Sequence, residues 1–113
     1  MKYICLIYSD RGKIDALPES EQQAILGEYM AFTQSIRESG HYVAAERLAP
    51  VKRARTIRSR NGQVAVTDGP FAETKEQLGG FYLIDARDLD EATEIASSIL
   101  GTRLGTIEVR PVM

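Results

Sequence analysis

The run Lys2-Tyr3-Ile4-Cys5-Leu6-Ile7-Tyr8 carries an apolar or aromatic side chain at every position after the lysine. Read as a strand, it sets Ile4, Leu6 and Tyr8 on one side and Tyr3, Cys5 and Ile7 on the other. Neither side is polar, so a strand of this kind is expected to be covered on both faces. Sheet plus covering layers is therefore the starting architecture, and the rest of the chain must supply the cover.

Downstream, a polar loop precedes Ser20-x-x-Gln23, a capping-box pattern that predicts a helix start. Ile25, Tyr29, Phe32 and Ile36 then recur on one helical face, and Gly40 stands where the chain must turn after a helix end. Tyr42 to Leu48 reads as a strand ended near Pro50. The pair Asn61-Gly62 sits between a basic run, Lys52 to Arg60, and Gln63 to Thr67. Asn-Gly between two extended segments predicts a tight hairpin, because both turn residues must tolerate positive φ. A strand resumes at about Gly80 to Asp85. Asp88, with Glu91 three residues on, caps a second helix whose expected buried stripe is Leu89, Ala92, Ile95, Ala96 and Ile99. Thr106 to Val112 closes the chain as a strand, and Pro111 marks it as an edge or a terminus.

The order is β-α-β, an inserted β-hairpin, then β-α-β. It predicts an α+β fold of the ferredoxin-like, split βαβ kind with one antiparallel sheet, in a single domain over residues 1–113. Two helices cover only one face of such a sheet. The other face, on the order of 350–400 Å² in plan, would expose aliphatics together with Tyr3, Phe81 or Tyr82, depending on register. A second copy is the expected cover, in a face-to-face homodimer.

Composition excludes several functions. The chain has 113 residues, 43% hydrophobic and 27% charged, with a net charge of −2, so no overall field draws it to nucleic acid. The apolar N-terminal run is too short for a signal peptide or a membrane span, which makes a cytoplasmic, reduced protein the expectation. One cysteine and one histidine neither form a disulfide within the chain nor close a zinc shell. Gly69, Gly79 and Gly80 have the wrong spacing for a dinucleotide fingerprint. No Ser–His–Asp arrangement is arguable, and Cys5, inside an apolar strand, reads as an inert packed thiol. His41, the sole imidazole, follows Gly40 at a helix end and reads as a surface or capping residue.

The densest chemistry lies in Asp68-Gly69-Pro70-Phe71-Ala72-Glu73-Thr74-Lys75-Glu76. Gly69 permits an unusual φ and Pro70 fixes the next one, so Asp68 and Phe71 are aimed by a rigid turn. Three carboxylates and an ammonium close together suit proton transfer. Asp68 also suits an ordinary Asx turn with the neighbouring charges solvated, and both readings stand. Arg53 and Arg55 would share one side of the basic strand, with Lys52, Arg58 and Arg60 on the other. Without interleaved aromatics this reads as a solvated hairpin that resists edge aggregation, or as a grip on a small anion by an arginine such as Arg55.

The string from Asp68 to Glu76, followed by Gly79-Gly80-Phe81-Tyr82, resembles the DGPF branch of the YCII-related family. Met1-Lys2-Tyr3, Tyr29-Met30-Ala31-Phe32 and Val109-Arg110-Pro111-Val112 are similar to it as well. The resemblance implies a dimeric α+β barrel with a cleft in each subunit near the interface. It implies Asp68, Glu73, Lys75 and Glu76 as catalytic candidates; Phe71, Tyr82 and Arg55 are the candidate ligand contacts beside them. A more distant branch, which includes a dehydrochlorinase, looks to use a His–Asp pair. Glu28 and Tyr29 stand here where that histidine would be sought in the first helix, so the pair does not carry over. Members encoded beside extracytoplasmic sigma factors suggest an accessory or ligand-sensing module in a sigma-factor pathway. The alternative is a cofactor-free enzyme in which Asp68, with Glu73 or Glu76, performs acid–base chemistry on a small, anionic substrate.

Overall fold

The computed structural model describes residues 1–113, with side chains at every position except 101 and 102. The elements are β1 (Lys2–Ser9), α1 (Arg11–Asp15), α2 (Glu19–Glu38), β2 (Tyr42–Arg47), a 3-10 turn at Val51–Arg53, β3 (Arg55–Arg60), β4 (Gln63–Asp68), β5 (Gln77–Asp85), α3 (Leu89–Ala96), α4 (Gly101–Leu104) and β6 (Gly105–Pro111). Four strands form one sheet in the order β2-β5-β1-β6, every neighbouring pair antiparallel, and β3-β4 form a separate ribbon. This is the split βαβ order, and the α+β reading holds.

One face of the sheet carries the core. Tyr3, Cys5 and Ile7 of β1 and Tyr82 and Ile84 of β5 are buried under Phe32 and Ile36 of α2 and under Ala92, Ala96 and Ile99. Phe32 meets Tyr82 edge-on, with ring centroids 5.1 Å apart, a geometry the ring quadrupoles favour. Small side chains at Ala92 and Ala96 let α3 lie close to the sheet. Tyr3 and Tyr82 therefore face the helices, and of the three aromatic candidates for the outer face only Phe81 is there. Its neighbours on that side are Ile4, Leu6, Tyr8 and Leu83, none of them fully buried. Within one chain β1 is thus covered on one side only, where its apolar pattern predicts cover on both.

Several local expectations need correction. Ser20 does not cap α2; the helix begins at Glu19 behind Pro18, and Ser20 lies inside its first turn. Pro18, already extended at φ −54 and ψ 148, supplies the carbonyl that accepts from the Glu21 and Gln22 N–H groups. The Gln22 amide donates backwards to the carbonyls of Asp15 and Leu17 and ties the helix to α1. The stretch before it is not all loop, because Asp10 accepts from the Lys13 N–H and caps the short α1. Leu89 is about half exposed rather than buried, since it opens α3 beyond the end of β5. Lys52 and Arg53 lie in the 3-10 turn, so strand alternation assigns them no face. The strand before Pro50 ends at Arg47, although the Leu48 N–H still donates to the Gly79 carbonyl, and β5 starts at Gln77.

Two turn assignments hold in detail. Gly40, at φ 81, and His41 donate to the Arg37 and Ile36 carbonyls, the paired bonds that close a helix through a left-handed residue. Asn61 and Gly62, at φ 51 and 77, make the hairpin turn, with Arg60 opposite Gln63. Every β3 and β4 side chain except Thr56 is exposed. Ile57, Val64 and Val66 line one face of this ribbon, Arg58 and Arg60 the other. The radius of gyration, 16.0 Å, exceeds the roughly 13 Å of a compact chain this size, as a projecting ribbon requires.

Candidate functional site

The β1–β5 ladder breaks where Ile7 pairs with Gly80 but Tyr8 pairs with Leu78, leaving Gly79 unopposed. This is a β-bulge, a device that bends a strand and interrupts its pairing. Gly80 is required beside it, because a Cβ there would stand 2.8 Å from the Glu46 carbonyl oxygen of β2. At Gly79 a Cβ would meet nothing nearer than the Ser9 Oγ at 3.8 Å. Two cavities open at this point and share Ser9, Arg11 and Gly79 in their walls.

The first cavity, about 550 Å³, lies between α2 and the β2–β5 pair, a size ordinary for small-molecule sites. Ile7, Ile14, Ile25 and Leu26 supply apolar wall, Tyr29 and Tyr82 bring phenols, and Arg47 stands at the end of β2. The Tyr82 hydroxyl is 2.8 Å from the Thr33 hydroxyl. Burial pushes the Tyr29 phenol above its ordinary value; the neighbouring Tyr82 adds to this and Arg47 opposes it. Burial pushes Tyr82 up as well, against the opposing effect of its hydrogen bond with Thr33. Both therefore stay neutral near pH 7 and serve as hydrogen-bonding groups on an apolar wall. Among the described residues Arg47 makes no ion pair, although Asp15 and Glu19 also line the cavity.

The second cavity, about 600 Å³, lies on the other side of the bulge, beneath the loop that follows β4. Its charged lining is Asp10, Arg11, Lys52, Glu73 and Lys75. Glu73 and Lys75 thus share a wall, joined by Pro70. Glu76 turns elsewhere and accepts from the Thr106 hydroxyl at 2.9 Å. Asp68 ends β4 with its carboxylate exposed, accepting from the Arg55 Nε at 3.2 Å. Phe71 is 76% exposed, and its carbonyl accepts from Arg58. Of the seven sequence candidates, Glu73 and Lys75 fall in one cavity and Tyr82 in the other. Asp68, Arg55, Phe71 and Glu76 line neither.

His41 lies at the far end of β5, where its carbonyl accepts from the Asp85 N–H. Its ring bridges the Ser39 hydroxyl at 2.7 Å and the Glu91 carboxylate at 3.5 Å, joining the end of α2 to the start of α3. That is a capping position, as the sequence suggests. Arg11, Tyr29 and Arg47 were not legible as site residues. Tyr29 falls on a core-facing helical stripe and Arg47 at a strand end, and only their tertiary meeting marks them. The usable signal was the Gly79-Gly80 pair within a strand, which points to a bulge or a close approach.

The YCII-related domain matches the chain over residues 1–113. The chain belongs to the YCII-related family. It is 40% identical to an uncharacterized protein of Rhizobium meliloti (strain 1021) over 114 residues, covering 99% of this chain and 92% of that one. Its fold is shared with 5-chloro-2-hydroxyhydroquinone dehydrochlorinase of Burkholderia phenoliruptrix AC1100, solved in complex with 2,5-dihydroxybenzoquinone. There the TM-score is 0.57 at 11% identity, over 100% of this chain and 94% of the enzyme. At that identity the likeness speaks to the fold.

Proposed function

We propose that this YCII-related protein binds a small, partly apolar molecule in the cavity walled by Tyr29, Tyr82 and Arg47. The observation that carries the reading is the meeting of two neutral phenols and an arginine without an ion pair beside the apolar Ile7, Ile25 and Leu26. Such a wall orients a ring or chain by a few polar contacts while apolar burial supplies affinity. That a structural neighbour was solved with a small cyclic ligand supports the size class. A thermal-shift screen of small cyclic acids and phenols tests it. A hit at 100 times its dissociation constant should stabilise by about 2.7 kcal/mol. Arg47→Ala should weaken that hit, and Asp68→Asn should leave it intact; the opposite pattern moves the site to the DGPF turn.

A second reading keeps the cavity and adds chemistry. Glu73 and Lys75 line the adjoining cavity together, a carboxylate and an ammonium that suit acid–base work without a cofactor. Asp68 then fixes the hairpin base through Arg55, and Glu76 anchors the loop through Thr106. Turnover of a screen hit that is lost in Glu73→Gln while binding survives would establish it. In both readings a second copy covers the open sheet face, and the protein works in the cytoplasm. A link to a sigma-factor pathway belongs to the accessory form of the binding reading. Recovery of a sigma factor on the tagged native protein is the expected result there.

A further inference from the structure

We infer that the two cavities are a single bipartite site for an amphipathic molecule ending in an anion, its apolar part beside Tyr29 and Tyr82 and its anionic end between Lys52 and Lys75. The inference rests on the proposed binding function of the tyrosine cavity and adds the class of ligand. The cavities are contiguous: Ser9, Arg11 and Gly79 belong to the walls of both. The bulge interrupts strand pairing at that boundary, and Gly79 adds no side chain there to those of Ser9 and Arg11.

The charge balance differs across this boundary: the first cavity sets Arg11 and Arg47 against Asp15 and Glu19. Beyond Gly79 the charged lining holds three cations, Arg11, Lys52 and Lys75, against Asp10 and Glu73. Asp10 already accepts the Lys13 N–H as the cap of α1. Arg11 is directed to the Leu48 carbonyl at 3.3 Å and lies 3.8 Å from Asp15. Among the described residues Lys52 and Lys75 make no ion pair. Two lysines lining one cavity bring like charges to the same wall, and an anion bound there offsets their repulsion. Glu73 is the one carboxylate on that wall without a hydrogen bond among the described residues, so it disfavours crowding by further negative charge and is free to accept from a ligand hydroxyl or amine. An apolar group in the first cavity thus adjoins a cationic pocket across Ser9, Arg11 and Gly79.

Three probes separate the parts: 1-naphthol, 1-naphthyl phosphate and inorganic phosphate, titrated calorimetrically into the intact protein. The ester should bind about tenfold or more tightly than the alcohol, as one or two charge-assisted contacts supply. Free phosphate should bind more weakly than either. Lys52→Ala/Lys75→Ala should return the ester to the affinity of the alcohol and leave the alcohol unchanged. Gly79→Leu, which obstructs the boundary where a Cβ is sterically tolerated, should lower the affinity of the ester more than that of the alcohol, with far-ultraviolet circular dichroism as the check that the variant is folded. An ester that gains nothing over the alcohol, or a gain that survives the double lysine variant, overturns the inference alone. If neither naphthyl compound binds, the proposed function of the tyrosine cavity fails first, and the bipartite site falls with it.

Discussion

The two faces of the sheet are built from the same strands and nearly the same kinds of residue, yet they end in different states. On one side Tyr3, Cys5, Ile7, Tyr82 and Ile84 lie against α2 and α3, all below 9% exposure. On the other, Ile4, Leu6, Phe81 and Leu83 alternate with them along β1 and β5, and none is fully buried. The rim of the open face is polar, because Arg110 stands opposite Ile4, Glu108 opposite Leu6, and Glu46 opposite Phe81. An apolar centre inside a charged rim is the pattern of an interface core. Hydrophobic alternation therefore encodes a need for cover on both faces, and the helices of one chain meet half of it.

The strongest way to break this comparison is to truncate one residue on each face of β5. Ile84→Ala removes a fully buried side chain and should destabilise by about 3 kcal/mol through lost transfer energy and the cavity left behind. Leu83→Ala, its neighbour on the open face, should cost less than about 1 kcal/mol in the separated chain, by denaturant unfolding at low concentration. Equal losses at that concentration would mean the open face is already covered within the chain.

A charge on the open face sharpens the same point. Phe81→Lys should leave the far-ultraviolet circular dichroism unchanged and lower the sedimenting mass to that of one chain, since an ammonium in the middle of an apolar contact is costly to desolvate. The wild-type protein should sediment as two. A wild-type monomer at micromolar concentration would remove the second copy as the cover.

Most of the fold was legible because its signals are local. Gly40 and Asn61-Gly62 announce turns that need positive φ, and Asp88 with Glu91 announces a helix start; each appears where the chemistry requires it. Ser20-x-x-Gln23 carried the same kind of signal and misled, because Pro18 fixes the chain two residues earlier and the Gln22 side chain does the tying. Which side of β1 faces the helices was not legible at all, since both sides are apolar and only pairing with β5 decides it. The candidate site was legible in part for the same reason. Glu73 and Lys75 could be named from the motif, whereas Tyr29, Arg47 and Arg11 come from three separate elements and acquire meaning only where α2, β2 and the start of α1 converge.

A smaller effect tests how the covered face keeps its cover. Asp88 accepts from the Glu91 N–H at 2.9 Å, while the Glu91 side chain accepts from the Arg87 N–H, so the start of α3 is closed from both sides. Asp88→Ala should cost about 1 kcal/mol, the usual value for losing such a cap. The loss should appear as faster amide exchange at the start of α3, with the β1–β5 amides keeping their protection. Equal acceleration in β1 would show that α3 and the sheet open as one unit.

A test confined to alkaline pH comes from Cys5, which lies between Tyr3 and Ile7 on the covered face and is fully buried. Burial pushes its thiol from 9.0 up to about 11. Below pH 9 both folded and unfolded chains keep the proton, so the thiol gives stability no pH dependence there. As pH rises through that range the unfolded chain ionises first and is favoured, so stability falls until the folded thiol ionises near pH 11. Cys5→Ala should be less stable at pH 7 because of the cavity, yet its stability should decline less steeply between pH 9 and 11. The two proteins differ at this one side chain, so the difference between the two curves isolates the thiol. A Leu6→Cys chain offers the matching probe on the other face. With Cys5 removed, that new thiol should react quickly with an aromatic disulfide in the Phe81→Lys background and slowly with Phe81 intact, because a second copy then shields it. Equal rates in the two backgrounds would show that the open face stays open.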